Sequence, residues 1–266
     1  MVYYPRLNEL FSLKGKVALI TGGGRGIGEF ISSGLAEAGA DLVITSRKTK
    51  NLVNTARRIE TAYNVNVMPV QCDVSNKEEV DALIEEVTGS FPRLDILVNN
   101  AGVSWGAPTL EYPLEKWDHI FNVNIRGVWI LTQKVANIMK EQGGGNIINI
   151  SSSTSFRGTE ESKHPAVAYN SSKAALNLLT MNLAVKLAHF NIRVNGIAPG
   201  AFQTDMMAYL EKPEFESVHK EMVGRIPLRL FGTMDDMKGV AVFLASDASA
   251  YMTGHILVND GGSLAK

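Results

Sequence analysis

A single cysteine, Cys72, stands in 266 residues, so no internal disulfide can form. Its neighbours Met68, Pro69 and Val70 are apolar, which favours a buried strand residue over a reactive thiol. The five histidines, at 119, 164, 189, 219 and 255, are too scattered for ligand spacing, and no metal site is expected. No run of ~18 apolar residues suggests a membrane span. The stretch Met1 to Leu13 has neither the basic start nor the apolar run of a secretory signal, so a cytoplasmic location is expected. With a net charge of -1, the chain as a whole is not drawn to nucleic acid or to an anionic membrane. At this length a hydrophobic core can hold the fold without staples.

What is present is alternation. Short apolar runs predict strands at Lys16–Thr21, Asp41–Thr45, Val67–Cys72, Leu94–Val98, Asn146–Ile150, Ile192–Ile197 and Ile256–Asn259. Between them lie helical patterns at Ile27–Ala38, Asn51–Tyr63, Ser75–Thr88, Leu114–Glu141, Ala166–Phe190 and Met234–Ala245. Gly39 suits the end of the first helix. Ser75, with Glu78 three residues on, suits the start of the third as a capping box. Strands joined by helices imply right-handed crossovers, hence an α/β fold with a doubly wound parallel sheet of about seven strands and helices on both faces. One domain spanning 1–266 is the simplest reading, with Ala201–Thr233 an inserted loop carrying one or two short helices. Its Met206, Met207, Tyr209, Leu210, Phe215 and Met222 either form an apolar lid or pack the loop on the body.

Between the first strand and first helix runs Thr21-Gly22-Gly23-Gly24-Arg25-Gly26-Ile27-Gly28. Glycines there let the backbone turn and approach a ligand, and the helix start offers free amides to a pyrophosphate. The second strand ends in Ser46-Arg47-Lys48, without the acid that would hold a ribose 2′-hydroxyl. Arg47, with Arg25 close by, instead favours a 2′-phosphate, so the expected cofactor is NADP(H).

Tyr169 and Lys173 stand one helical turn apart, on one face. An ammonium beside a phenol is expected to lower its pKa towards neutrality and make proton exchange feasible. The fifth strand ends in Ser151, Ser152 and Ser153, the fourth in Asn99-Asn100-Ala101-Gly102, and strand ends are where such sheets bind ligands. Asn124 falls inside a helical stretch, where asparagine is otherwise unfavourable. Trp105 is either a pocket wall or core packing.

TGGGRGIG at 21–28, CDV at 72–74, NNAG at 99–102, NVN at 122–124, INISS at 148–152, YNSSK at 169–173 and IAPG at 197–200 together resemble the classical short-chain dehydrogenase/reductase family, over about Leu13–Gly262. The resemblance implies that Ser152, Tyr169 and Lys173 form a catalytic triad with Asn124 as a fourth member. It places the cofactor against Gly22, Gly24, Arg25, Gly26, Ile27 and Gly28, beside Ser46 and Arg47. Asp73 and Asn99 would line the adenosine pocket, Val74, Ala101, Gly102, Tyr169, Pro199 and Gly200 would also bind the cofactor, Thr204 would meet the carboxamide and Lys173 the nicotinamide ribose. It also implies a small-molecule carbonyl substrate and a homo-oligomer, dimer or tetramer, meeting through the helices that carry Trp129 and Leu176–Leu187 and through the last strand.

Seventeen positions separate Ser152 from Tyr169, a few more than the family pattern has, and the extra residues lie within Arg157–His164. That leaves Ser153 open as the working serine, and a longer loop beside the pocket. His164 in that loop reads as solvated, with a substrate contact as the alternative. FSLKG, NAGVSWGAPTLEYPLEKW and AYMTG look closest to 3-oxoacyl-[acyl-carrier-protein] reductases of the rhamnolipid type, which implies reduction of a 3-oxoacyl thioester or related ketone. A sugar or polyol dehydrogenase, a non-catalytic NADP-sensing protein, and an epimerase or dehydratase on a longer version of the fold are the alternatives.

Overall fold

The computed structural model describes residues 5–204, 207, 210 and 212–266. Met206 and Tyr209, two of the apolar residues expected to form a lid, lie outside the described residues. In chain order the elements are α1 Leu7–Leu10, β1 Val17–Thr21, α2 Gly26–Glu37, β2 Asp41–Ser46, α3 Thr49–Tyr63, β3 Val67–Gln71, α4 Lys77–Ser90 and β4 Ile96–Asn99. They continue as α5 Leu114–Phe121, a π-helical turn Asn122–Gly127, α6 Val128–Glu141, β5 Gly145–Ile150, α7 Val167–Leu187, β6 Ile192–Pro199, α8 Glu216–Gly224, α9 Met234–Ala245 and β7 Ile256–Asn259.

The strands form one parallel sheet in the order β3-β2-β1-β4-β5-β6-β7. All five residues of β1 are buried, as a strand covered on both faces requires. Alternate residues feed two cores. Ala18 and Ile20 join Ile31, Leu35, Met237 and Leu244 of α2 and α9 on one face. Val17 and Leu19 join Val80, Leu83, Leu131 and Val135 of α4 and α6 on the other. The order reverses between β1 and β4, so their carboxyl ends splay apart and open a crevice between them.

One local expectation is corrected. The cap of α4 is Asn76, whose side chain accepts from the amides of Glu78 and Glu79. Ser75 instead donates both its amide and its hydroxyl to Asp73. Within the stretch 114–141 the α-helix gives way at Asn122–Gly127 to the π turn, and the chain stays helical throughout. Gly39 follows the end of α2 with φ +101°, the left-handed residue anticipated there.

Cys72 is buried, and burial, followed by the nearby Glu79 and Asp73 carboxylates, pushes its thiol up to about 12. Among the described residues no helix is long and apolar enough to cross a membrane.

Candidate active site

The glycine loop closes on itself at the crevice. Gly22 takes φ +67°, and a Cβ on Gly28 would stand 2.1 Å from the Gly22 carbonyl oxygen, so the turn of the chain into α2 admits no side chain at position 28. The Asn100 amide donates to the carbonyl oxygens of Thr21 (2.8 Å) and Gly22 (3.2 Å), while Thr21 Oγ1 accepts from the backbone of Asn100 (3.0 Å) and Ala101 (2.9 Å). On the other flank Thr55 Oγ1 donates to the Gly24 carbonyl at 3.0 Å. Arg25, at the N-cap of α2, makes no side-chain cap, so it leaves the first amides of the helix uncapped. This cradle fits a dinucleotide pyrophosphate. Thr204 stands over it, its Cγ2 3.5 Å from where a Cβ of Gly26 would lie.

Arg47 is exposed just past β2, and its charge reaches Asp73. Burial pushes the Asp73 carboxyl up, but the two Ser75 hydrogen bonds and the Arg47 and His119 charges outweigh it and hold it below the ordinary carboxylate range. Asn99 closes β4. It is buried, with its amide donating to Thr132 Oγ1 and Asn149 Oδ1, both at 2.9 Å, and thus ties β4 to its neighbours. Asn100, which sequence reasoning left without a role of its own, is the residue that tethers the glycine loop.

Four candidate residues meet on the β4 and β5 side of the crevice. A Cβ on Gly102 would lie 3.3 Å from Asn124 Oδ1 and 3.4 Å from Lys173 Nζ. Lys173 is buried and donates to the Ile150 carbonyl at 2.7 Å, with Nζ 5.7 Å from the centre of the Tyr169 ring. The fully buried Asn124 is held by Val103, which donates to its Oδ1 (2.9 Å) and accepts from its Nδ2 (3.0 Å), and Nδ2 also reaches Ser172 Oγ (3.0 Å). A π turn at such a residue departs from the regular carbonyl ladder, a geometry frequent at functional sites.

The three serines after β5 separate cleanly. Ser151 Oγ donates to the Lys173 carbonyl at 3.2 Å. Ser153 opens the 3-10 turn Ser153–Phe156. The Ser152 hydroxyl is the one in hydrogen-bonding reach of Tyr169, and it also meets Thr154 Oγ1 at 2.9 Å.

The electrostatics depart from expectation. Burial raises the Tyr169 phenol above its ordinary value, and the hydrogen bond with Ser152 only partly offsets this. Burial also lowers the Lys173 ammonium to about 8. The sequence reading had the ammonium pulling the phenol down; in the protein alone, desolvation acts on both groups and prevails.

Trp105 is not part of the core. It is partly exposed, with Tyr112 edge-on at 5.5 Å and Lys116 Nζ 5.8 Å from its ring centre. Trp129 of α6 and Leu178, Met181 and Val185 of α7 are also exposed. His164 is only half exposed, its Nδ1 is buried, and its ring centre lies 6.1 Å from that of Tyr169. It is thus not the solvated loop residue expected, because the chain from Thr159 to Pro165 folds back on the start of α7.

A family profile described as enoyl-(acyl carrier protein) reductase matches residues 22–263. A 2-dehydro-3-deoxy-D-gluconate 5-dehydrogenase from Pseudoalteromonas atlantica is 41% identical over 254 residues, covering 96% of this chain and 98% of that protein. The rhamnolipids biosynthesis 3-oxoacyl-[acyl-carrier-protein] reductase of Pseudomonas aeruginosa is 35% identical, covering 96% and 99%. The crystal structure of a gluconate 5-dehydrogenase from Burkholderia cenocepacia in complex with NADP and tartrate superposes with a TM-score of 0.88 at 35% identity, covering 98% of this chain and 100% of that one. The relatives therefore divide between sugar-acid dehydrogenases and 3-oxoacyl reductases, where the sequence alone pointed to the second group. With the sheet order, the glycine cradle and the Ser152–Tyr169–Lys173 cluster in place, these matches make the chain an enzyme of the short-chain dehydrogenase/reductase family, acting on CH–OH and carbonyl groups with a nicotinamide cofactor.

Proposed function

We propose that this enzyme interconverts a ketone and a secondary alcohol using NADP(H), with Tyr169 as the proton donor in the direction of reduction. The observation that carries the reading is the meeting of Ser152, Tyr169, Lys173 and Asn124 beside the glycine cradle. NADP(H), held by the 22–28 loop with Arg47 and Ser46 at a 2′-phosphate, would supply the hydride. Ser152 donates a hydrogen bond to the substrate oxygen and fixes it next to the Tyr169 hydroxyl. Tyr169 gives that oxygen its proton as the carbonyl carbon is reduced, and its raised pKa keeps the proton available at neutral pH. Lys173, poised near 8, returns a proton to the phenolate and holds the ribose, and Asn124 keeps Val103 and Ser172 in register around them.

Residues 201–233 form the lid of the same single domain in this reading, and the exposed apolar residues of α6 and α7 support a homo-oligomer. Two substrate classes have support. The partly exposed Met207 and Met222 favour a 3-oxoacyl thioester, while Leu210 is buried as a residue packing the loop on the body would be. The polar loop before Tyr169 favours a keto-sugar or keto-sugar acid, the chemistry named for the 41%-identical relative.

The test is oxidation of NADPH, with NADH in parallel, against 3-oxoacyl thioesters, diketones and keto-sugar acids. Tyr169→Phe is expected to lower kcat by about a thousandfold, the usual scale of a lost general acid, with NADPH affinity nearly unchanged. Turnover retained by this variant overturns the acid assignment.

A further inference from the structure

The longer loop between Ser152 and Tyr169 borders an open cavity of about 370 Å³ against the start of α7, a volume within the range of small-molecule pockets. Thr154, Arg157, Glu161, His164 and Asn170 are among the residues that line it. One wall touches the reaction centre directly, because Thr154 Oγ1 meets Ser152 Oγ at 2.9 Å.

Two polar atoms of this lining, His164 Nδ1 and Asn170 Oδ1, are buried and have no hydrogen-bond partner. Several other polar groups of the lining are engaged. Asn170 Nδ2 donates to Thr159 Oγ1 at 3.0 Å, which orients the amide and leaves its buried oxygen unpaired. Glu161 accepts from the Thr109 amide at 2.7 Å, and Arg157 donates to the Ser263 carbonyl at 2.8 Å. Buried polar atoms without partners are rare, because losing water without a replacement is unfavourable.

We propose that this cavity is a hydroxyl-recognising subsite, in which His164 and Asn170 hydrogen-bond the hydroxyls of a polyhydroxylated carbonyl substrate held at Ser152 and Tyr169. The inference rests on the carbonyl–alcohol reading above and names its substrate class. Asn170 Oδ1 can only accept, so its ligand must donate. Burial lowers the His164 imidazole below its ordinary value, which keeps it neutral at neutral pH. A hydroxyl then satisfies Nδ1 in either tautomer, since it both donates and accepts. An acyl chain offers no such group and would seal both atoms against methylenes. A site built to bond a hydroxyl discriminates strongly against the analogue that lacks it.

The experiment compares D-gluconate with hexanoate, which match in carbon number and carboxylate but not in hydroxyls. Binding is measured by titration calorimetry on the full chain with saturating NADPH, which cannot oxidise an alcohol. Gluconate is expected to bind at least about tenfold more tightly, and His164→Leu to remove about tenfold of that affinity, the scale of one lost hydrogen bond, while leaving hexanoate unchanged. His164→Asn, which keeps an acceptor near the Nδ1 position, is expected to retain the preference, and it guards against a loop that merely unfolds. Equal affinities for the two acids, or a loss in His164→Leu that is the same for both, overturns the subsite. The readout needs no turnover, so failure of the subsite and failure of the reductase reading are told apart by the NADPH oxidation panel.

Discussion

The two walls of the crevice are built differently. On the β1 side, the chain approaches its ligand as bare backbone: Gly22 and Gly28 nearly touch, and Asn100, Thr21 and Thr55 fasten the loop. On the β5 side, side chains of a longer loop face a cavity, and two buried polar atoms wait for a partner. A wall that grips one invariant ligand can be rigid and self-satisfied. A wall that selects among substrates leaves part of its hydrogen bonding to the substrate.

The comparison can be broken most sharply at Gly28. A Cβ there meets the Gly22 oxygen at 2.1 Å, so Gly28→Ala must displace the loop. Cofactor affinity is expected to fall by about a hundredfold, equivalent to ~2.7 kcal/mol, with the circular dichroism of the fold retained. Unchanged affinity would mean that backbone closeness is not what makes this wall. A smaller effect is expected at Arg47, which is exposed and screened. Arg47→Asp should weaken NADPH by about tenfold and NADH little, with the gap narrowing as salt is added. Equal losses for both cofactors would remove the 2′-phosphate assignment. The subtlest test sharpens the β5 side through pH. Lys173 is lowered to about 8 in the folded protein against an ordinary 10.5, so between those values the unfolded chain binds more protons. Stability of the cofactor-free protein, relative to Lys173→Met, should therefore rise with pH across that window. Tyr169, raised by burial, should form tyrosinate only at a higher pH than an ordinary tyrosine, read by ultraviolet difference titration against Tyr169→Phe.

Much of this architecture was legible in the residues. Apolar runs such as ALIT and IINI marked buried strands, and the glycine cluster marked the cradle, because backbone geometry restricts residue type there. The Tyr169–Lys173 pair and a serine at the end of β5 were legible from one helical turn and the strand ends, whereas the choice of Ser152 came from the family resemblance. What escaped depends on partners distant in sequence. Either Ser75 or Asn76 could have capped α4, and only the proximity of Asp73 diverts the serine. Asn99 and Asn100 look alike in sequence, yet strand alternation turns one into the core and the other to the glycine loop. The direction of the Tyr169 shift required the burial of the whole centre. The engaged state of the 157–164 loop had no periodic signal at all, since it is made of hydrogen bonds between single residues.

Cys72 has a practical consequence. It is the only thiol in the chain, it is buried, and near neutral pH it holds its proton, whereas alkylating reagents react with thiolates. The protein therefore comes ready for site-specific labelling: a cysteine introduced at an exposed position such as Glu160 or Ser162 would take a maleimide dye with little background. A fluorophore at either place would report ligand-induced movement of the 157–164 loop without any cysteine first being removed.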